Sequence, residues 1–270
     1  MIESTLDPWL VALDIDGTLM REDGYVAPAV VAAVQRVRDS GHEVMLATGR
    51  SVSMTLTVLE RFGLTPRFVV CSNGAITLAR DIDSPTGYSR IAVDSFDPTQ
   101  VLATIREILT EASYAVEDEE GFYRYTGQFP ESSLGVQSEK VPFEQLGERP
   151  ATRVVVISPE HEIEEFLSIV EKMGLHKVTY NVGWTAWLDI APDGVNKATA
   201  LERVRGWLDI PRTRVIAVGD GRNDIDMLRW AAEFGRGVAM GQAPPEVLDV
   251  SNEVTLSDLD DGVAQLLQSF

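Results

Sequence analysis

Hydrophobic positions along the chain follow two alternating rhythms. Short apolar, β-branched runs are succeeded by longer segments in which apolar residues return at helical spacing, the order expected of βαβ units and a parallel sheet. The run Trp9-Leu10-Val11-Ala12-Leu13 stops at Asp14. Residues 29–38 then carry Val30, Val34 and Val37 on one helical face and end at Ser40-Gly41. Val44-Met45-Leu46 predicts a second strand, residues 51–62 a helix stopped by Gly63, and residues 68–71 a third strand.

After Asn73-Gly74 the rhythm changes. Residues 82–180 show short strands at 90–93, 153–157 and 177–180, with helical patterns at 98–110 and 160–173. Residues 117–150, rich in acidic residues, Gly and Pro, carry no period from which an order can be read. Strands at 187–190, 214–218, 237–240 and 253–256 then alternate with helical segments at 196–207, 224–232, 245–250 and 261–267. The fold class expected is α/β: a doubly wound, Rossmann-like parallel-sheet core from residues 1–81 and 185–270, with an α+β cap inserted at 82–184.

Composition narrows the function. Forty-two acidic against twenty-three basic residues give a net charge of −19, which repels nucleic-acid phosphates and anionic membranes. No nucleic-acid or membrane partner is expected. An acidic chain that handles an anionic ligand needs local positive charge, from a bound cation or a few placed basic groups. The single cysteine, Cys71, excludes an internal disulfide framework, fits a reducing compartment, and follows an apolar run that predicts a buried thiol. No stretch approaches the roughly 18–20 apolar residues of a membrane span. MIESTLDPWL lacks a basic region followed by an apolar one, so the expected location is cytoplasmic.

Three apolar runs end in oxygen-bearing side chains: Leu13-Asp14, Leu46-Ala47-Thr48 and Val218-Gly219-Asp220. Ligands of open parallel sheets bind outside the carboxyl ends of the strands, so neighbouring strands would bring Asp14, Asp16, Thr48, Asp220 and Asp224 to one crevice. Four carboxylates that close demand a cation, and an all-oxygen ligand set favours a hard one such as Mg2+. In Asp14-Ile15-Asp16-Gly17-Thr18-Leu19, the first carboxylate is placed to attack phosphorus and the second to protonate a leaving oxygen. The plainer alternative is an acidic turn that merely ends a strand. Thr48-Gly49-Arg50-Ser51 offers a hydroxyl and helix-start N–H groups for an anion, or an ordinary capped turn. Lys197, in Gly194-Val195-Asn196-Lys197, opens a helix from which it could offset carboxylate repulsion, or simply be solvated. Asp220 and Asp224, in Gly219-Asp220-Gly221-Arg222-Asn223-Asp224, are placed to bind a metal or to cap a helix.

DIDGTL, ATGRS, the lysine of GVNKATAL and GDGRNDIDML occur in an order that resembles the haloacid dehalogenase-like (HAD) phosphatases, specifically the Cof-type members with a large α/β cap. CSNGAITLAR, GRGVAMGQA and DDGVAQLL extend the resemblance over essentially the whole core. It implies Asp14 as nucleophile and metal ligand. It implies Asp16 as acid/base and as a ligand through its backbone carbonyl, with Asp220 and Asp224 completing a Mg2+ site. Ile15, Thr48, Gly49, Lys197 and Asn223 would bind the phosphoryl group, and Asn73 and Gly74 would line the site at the cap hinge. Gln242 departs from the pattern, since many relatives carry Asn after the Met-Gly. The expected activity is Mg-dependent hydrolysis of small phosphate monoesters, sugar phosphates first, through an aspartyl-phosphate. The alternatives are a phosphotransferase or sugar-phosphate mutase, and a catalytically silent phospho-metabolite sensor. Arg124, Tyr125, Asn181 and Trp184 are the candidate cap residues for touching substrate, with surface or cap-core packing the plainer reading of each.

Overall fold

The computed structural model describes residues 7–130, 134, 137–175, 178–182 and 186–270. The opening strand β1 (Leu10–Leu13) is followed by α1 (Pro28–Asp39), β2 (Glu43–Leu46), α2 (Val52–Phe62) and β3 (Phe68–Cys71). Two further strands, β4 (Ile76–Arg80) and β5 (Tyr88–Val93), double back on β3 as an antiparallel unit. Next come α3 (Thr99–Ile108), β6 (Ser113–Asp118), β7 (Tyr123–Tyr125), β8 (Ser138–Lys140), β9 (Ala151–Ile157), α4 (Ile163–Met173), β10 (Val178–Val182) and β11 (Trp187–Pro192). The chain closes through α5 (Lys197–Leu208), β12 (Val215–Gly219), α6 (Ile225–Ala232), β13 (Arg236–Ala239), α7 (Pro245–Leu248), β14 (Glu253–Val254) and α8 (Gly262–Leu266).

The core sheet runs β14-β13-β12-β1-β2, parallel throughout, and an isolated parallel bridge from Ala47 to Val70 carries it on to β3. Its strands read as continuous apolar runs because both faces are covered. In β1, Val11 and Leu13 pack with residues of α1, α2 and α8, while Leu10 and Ala12 pack with α5, α6 and α7. This two-sided burial is the doubly wound α/β core that the alternating rhythm predicts.

The second sheet has the order β10-β11-β9-β6-β7-β8, with α3 and α4 on one face over Val116, Val154, Leu188 and Ile190. Residues 187–190, expected to resume the core rhythm, instead pair antiparallel with β9 and β10. The expected divisions at 82 and 184 therefore differ from the pairing, which keeps β5 with β3–β4 and gives β11 to the cap sheet. A short apolar run facing helices on one side looks the same in either sheet, so periodicity does not separate them. Part of the expected 177–180 strand is seen as β10, and Lys177 lies outside the described residues. Among the described residues no helix is long and apolar enough to cross a membrane.

Candidate active site

Asp14 follows β1 directly, and its N–H still donates to the Val218 carbonyl at 3.0 Å, so the strand ladder fixes its position. Asp220 follows β12, the neighbouring strand, and Asp224 ends the short helical turn Arg222–Asp224. The Oδ2 of Asp224 accepts from the N–H groups of Asp220 (3.1 Å) and Gly221 (3.0 Å), which turns its Oδ1 inward. Between these carboxylates lies Lys197, the first residue of α5 and fully buried. Its Nζ donates to Asp14 Oδ1 and to Asp224 Oδ1, each at 2.7 Å. Asn196 holds that helix start in a capping box: its side chain accepts from Thr199 N–H at 2.9 Å, and the Thr199 hydroxyl accepts from Asn196 N–H at 3.1 Å.

One ligand oxygen from each of Asp14, Asp220 and Asp224 lies within 4.8 Å of the others. Burial, then the nearby Asp224 carboxylate, pushes Asp14 up to about 7 against the pull of Lys197. Burial, then Asp14 and Asp224, pushes Asp220 up to about 8. Burial alone would lower Lys197, but Asp14 and Asp224 outweigh it and hold the ammonium above its ordinary value. Three carboxylates therefore share one ammonium, and the surplus negative charge and all-oxygen donor set fit a hard divalent cation. The turn after β1 is shaped for this closeness. Gly17 adopts φ +73°, and a Cβ there would collide with the Asp220 carboxylate, which also accepts from the Thr18 hydroxyl at 3.2 Å.

Asp16 points outward, exposed and bidentate with Arg50: Nη2 to Oδ1 at 2.6 Å and Nε to Oδ2 at 2.9 Å. Thr48 is fully buried after β2, its hydroxyl accepting from Arg50 N–H at 3.1 Å. Ser72 and Asn73, beyond β3, are both left-handed (φ 49° and 53°). Asn73 Oδ1 accepts from Asn223 Nδ2 at 3.1 Å, and a Cβ at Gly49 would lie 3.0 Å from it. Gly74 (φ 103°) leaves no room for a Cβ against the Asn196 carbonyl, so the chain beyond β3 packs onto the turn that carries Lys197. Asp14, Thr48, Gly49, Asn73, Gly74, Lys197, Asp220, Asn223 and Asp224 thus converge, with Ile15 buried in the core beside Asp14.

The cap residues divide. Register pairs Arg124 with Val116, which places it on the helix-bearing face, where it meets Asp118 at 3.2 Å. Tyr125 pairs with Ala115 on the other face and packs edge-on against Phe129. Asn181 is opposite Asp189 in backbone register, and Trp184 lies outside the described residues. Two contacts escaped sequence reasoning. The Arg50 side chain takes Asp16, although ATGRS was singled out for the Thr48 hydroxyl and its helix-start N–H groups. Gln242 Nε2 donates to the Gly17 carbonyl at 2.6 Å while its Oε1 accepts from Asp258 N–H at 3.1 Å, so the longer amide ties the turn after β1 to the C-terminal segment.

With this geometry in hand, comparison with known proteins is specific. The family model for haloacid dehalogenase-like hydrolases matches residues 11–267. A 5-amino-6-(5-phospho-D-ribitylamino)uracil phosphatase of Bacillus subtilis, YitU, is 28% identical over 273 residues, covering 97% of each chain. An HMP-PP phosphatase of Yersinia enterocolitica is 26% identical over 245 residues, covering 88% of this chain and 85% of its own. The solved structure of the HAD subclass IIB sugar phosphatase BT4131 superposes with a TM-score of 0.80 at 22% identity, covering 97% of this chain and 98% of its own. The chain belongs to the haloacid dehalogenase-like hydrolases, among their Cof-type phosphatases.

Proposed function

We propose that this phosphatase is Mg-dependent and removes the phosphoryl group from small phosphorylated metabolites, sugar phosphates first, through an aspartyl-phosphate on Asp14. The observation that carries the reading is the buried Asp14–Lys197–Asp224 arrangement with Asp220 beside it. The relatives' activities on a phosphoribitylamino-uracil and on sugars support a small, phosphorylated substrate.

Asp14 Oδ attacks phosphorus in line and the bond to the leaving oxygen breaks, with Asp16, protonated and turned inward from Arg50, giving that oxygen its proton. Asp16 then takes a proton from the water that attacks the aspartyl-phosphate, which frees phosphate and restores Asp14. Lys197 pulls Asp14 toward its ionised form against burial and neutralises phosphoryl charge, the main requirement of this reaction. Thr48, the N–H groups near Ile15 and Gly49, and Asn223 hold the remaining phosphoryl oxygens. A magnesium ion held by Asp14, Asp220, Asp224 and the Asp16 carbonyl would supply Lewis-acid charge neutralisation there. Asn73 and Gly74 fix the hinge from which the cap roofs the site.

The test is phosphate release from a panel of phosphorylated metabolites, with Mg2+ or with chelator. Release that needs the ion supports the reading. Full release in chelator removes the metal requirement, and no release from any compound removes the hydrolase reading.

A further inference from the structure

The cap sheet has two faces. Val116, Val154, Leu188 and Ile190 pack against α3 and α4, so Glu117, Arg153 and Asp189, one position out of phase, lie on the other. That second face meets the core at two places. At one end the Ser72 hydroxyl, just beyond β3, donates to Glu117 Oε2 at 2.8 Å. At the other, β10, the strand beside Asp189, packs against the Arg222–Asp224 turn. Between these two footings run the ends of β2, β1 and β12, with Asp14 among them. Arg153, opposite Glu117 in register, and Asp189, on the strand beside β10, lie on the face between these two footings.

The charges of this roof are already matched. Arg153 Nε and Nη2 reach Asp189 Oδ1 at 2.6 and 2.5 Å, and Nη1 donates to the Tyr123 hydroxyl at 3.3 Å. Arg153 is 7% exposed, so its guanidinium is committed. Asp189 keeps a side-chain exposure of 17%, and among the described residues its Oδ2 accepts no hydrogen bond. Glu117 adds a further carboxyl, fully buried, whose Oε1 has no hydrogen-bond partner among the described residues. This face thus presents one open acceptor, Asp189 Oδ2, and a saturated cation, with the Glu117 carboxyl buried beneath.

We propose that Asp189 and Arg153 are specificity-determining residues: they bind hydroxyl groups of the leaving group and exclude substrates whose leaving group carries a second negative charge. This rests on the phosphatase reading above. A hydroxyl finds Asp189 Oδ2 as an acceptor. A second phosphate finds a carboxylate and, among the described residues of this face, no uncommitted cation, which is discrimination by repulsion.

The probes are a hexose 6-phosphate and the same hexose 1,6-bisphosphate, compared by kcat/KM. The native protein is expected to favour the monophosphate by about tenfold or more, since a like charge in a desolvated site is costly. Asp189→Asn frees the charge of Arg153, and the preference should shift toward the bisphosphate by about tenfold, chiefly through KM. Native activity that is equal on both compounds overturns the proposal while leaving the phosphatase reading intact. A native preference that Asp189→Asn leaves unmoved overturns the assignment to this pair. If the variant does not fold, the native ratio still decides. Release from neither probe nor any panel compound ends the phosphatase reading, and this proposal with it.

Discussion

Lys197 is buried without exposure because two carboxylates bond directly to its ammonium, and among the described residues neither carboxylate pairs with another cation. Removing one partner of a buried ionic cluster strands the others. Lys197→Met should therefore cost roughly 3–5 kcal/mol in chelator and lose at least about 100-fold in activity. Urea unfolding with and without Mg2+ checks the first part: added ion should restore more stability to the variant than to the native protein. A variant as stable as native in chelator would contradict the shared-charge account. Gly17 shows the same crowding from the backbone side. Its positive φ and the collision any Cβ would make with Asp220 predict that Gly17→Ala raises the Mg2+ concentration needed for half-maximal activity by about tenfold or more. A titration with an unchanged midpoint would show that Asp220 moves freely. The clustering of Asp14, Asp220 and Asp224 was legible because chemistry that needs Asp, Gly and Thr at fixed offsets leaves few substitutes. The pairing of Asp16 with Arg50 was not, because the two lie 34 positions apart and only the fold brings them together.

At the scale of elements, α5 delivers Lys197 through its first turn. The capping box at Asn196, with the side-chain contact from its Nδ2 to Asp226 Oδ2 at 3.0 Å, fixes that delivery. Asn196→Ala should lower stability by about 1–2 kcal/mol, measured by denaturant unfolding, and an unchanged midpoint would mean the cap is dispensable. Farther along α5, Glu202 binds Arg205, Arg212 and the indole N–H of Trp230 on α6. Arg205 first, with Trp230 and Arg212, holds its carboxyl down at about 2. Because the folded value is depressed, the stabilisation exists above the unfolded value, near 4.3, and is lost as pH falls toward 2. The side chain is 38% exposed, so Glu202→Gln should cost less than about 1 kcal/mol at pH 7, and the gap should close as the acid limb is descended. A gap that persists at pH 2 would assign the effect to packing. The long helices and buried strands here could be read from period and flanking turn residues. The strands β7 and β8 could not, since residues 117–150 alternate no apolar face cleanly and include a parallel pairing of β7 with β8.

At the scale of the whole molecule, a sheet made from both ends of the chain puts β1, which carries Asp14, between β2 and β12, and the inserted sheet meets the core at Ser72 and at the Arg222–Asp224 turn. The alternating rhythm made the parallel core legible. The seam was not, because β11 carries a core-like apolar run yet completes the cap sheet. Everything proposed for the chemistry converges on one atom pair, an Asp14 carboxylate oxygen and the substrate phosphorus. The most direct test compares native protein with Asp14→Asn on whichever panel compound releases phosphate fastest in Mg2+, after circular dichroism shows that both are folded. Loss of a nucleophile predicts a fall in kcat of at least about 1,000-fold with the fold unchanged. A variant that keeps activity within about tenfold of native would contradict Asp14 as nucleophile and move the attacking group elsewhere in the site.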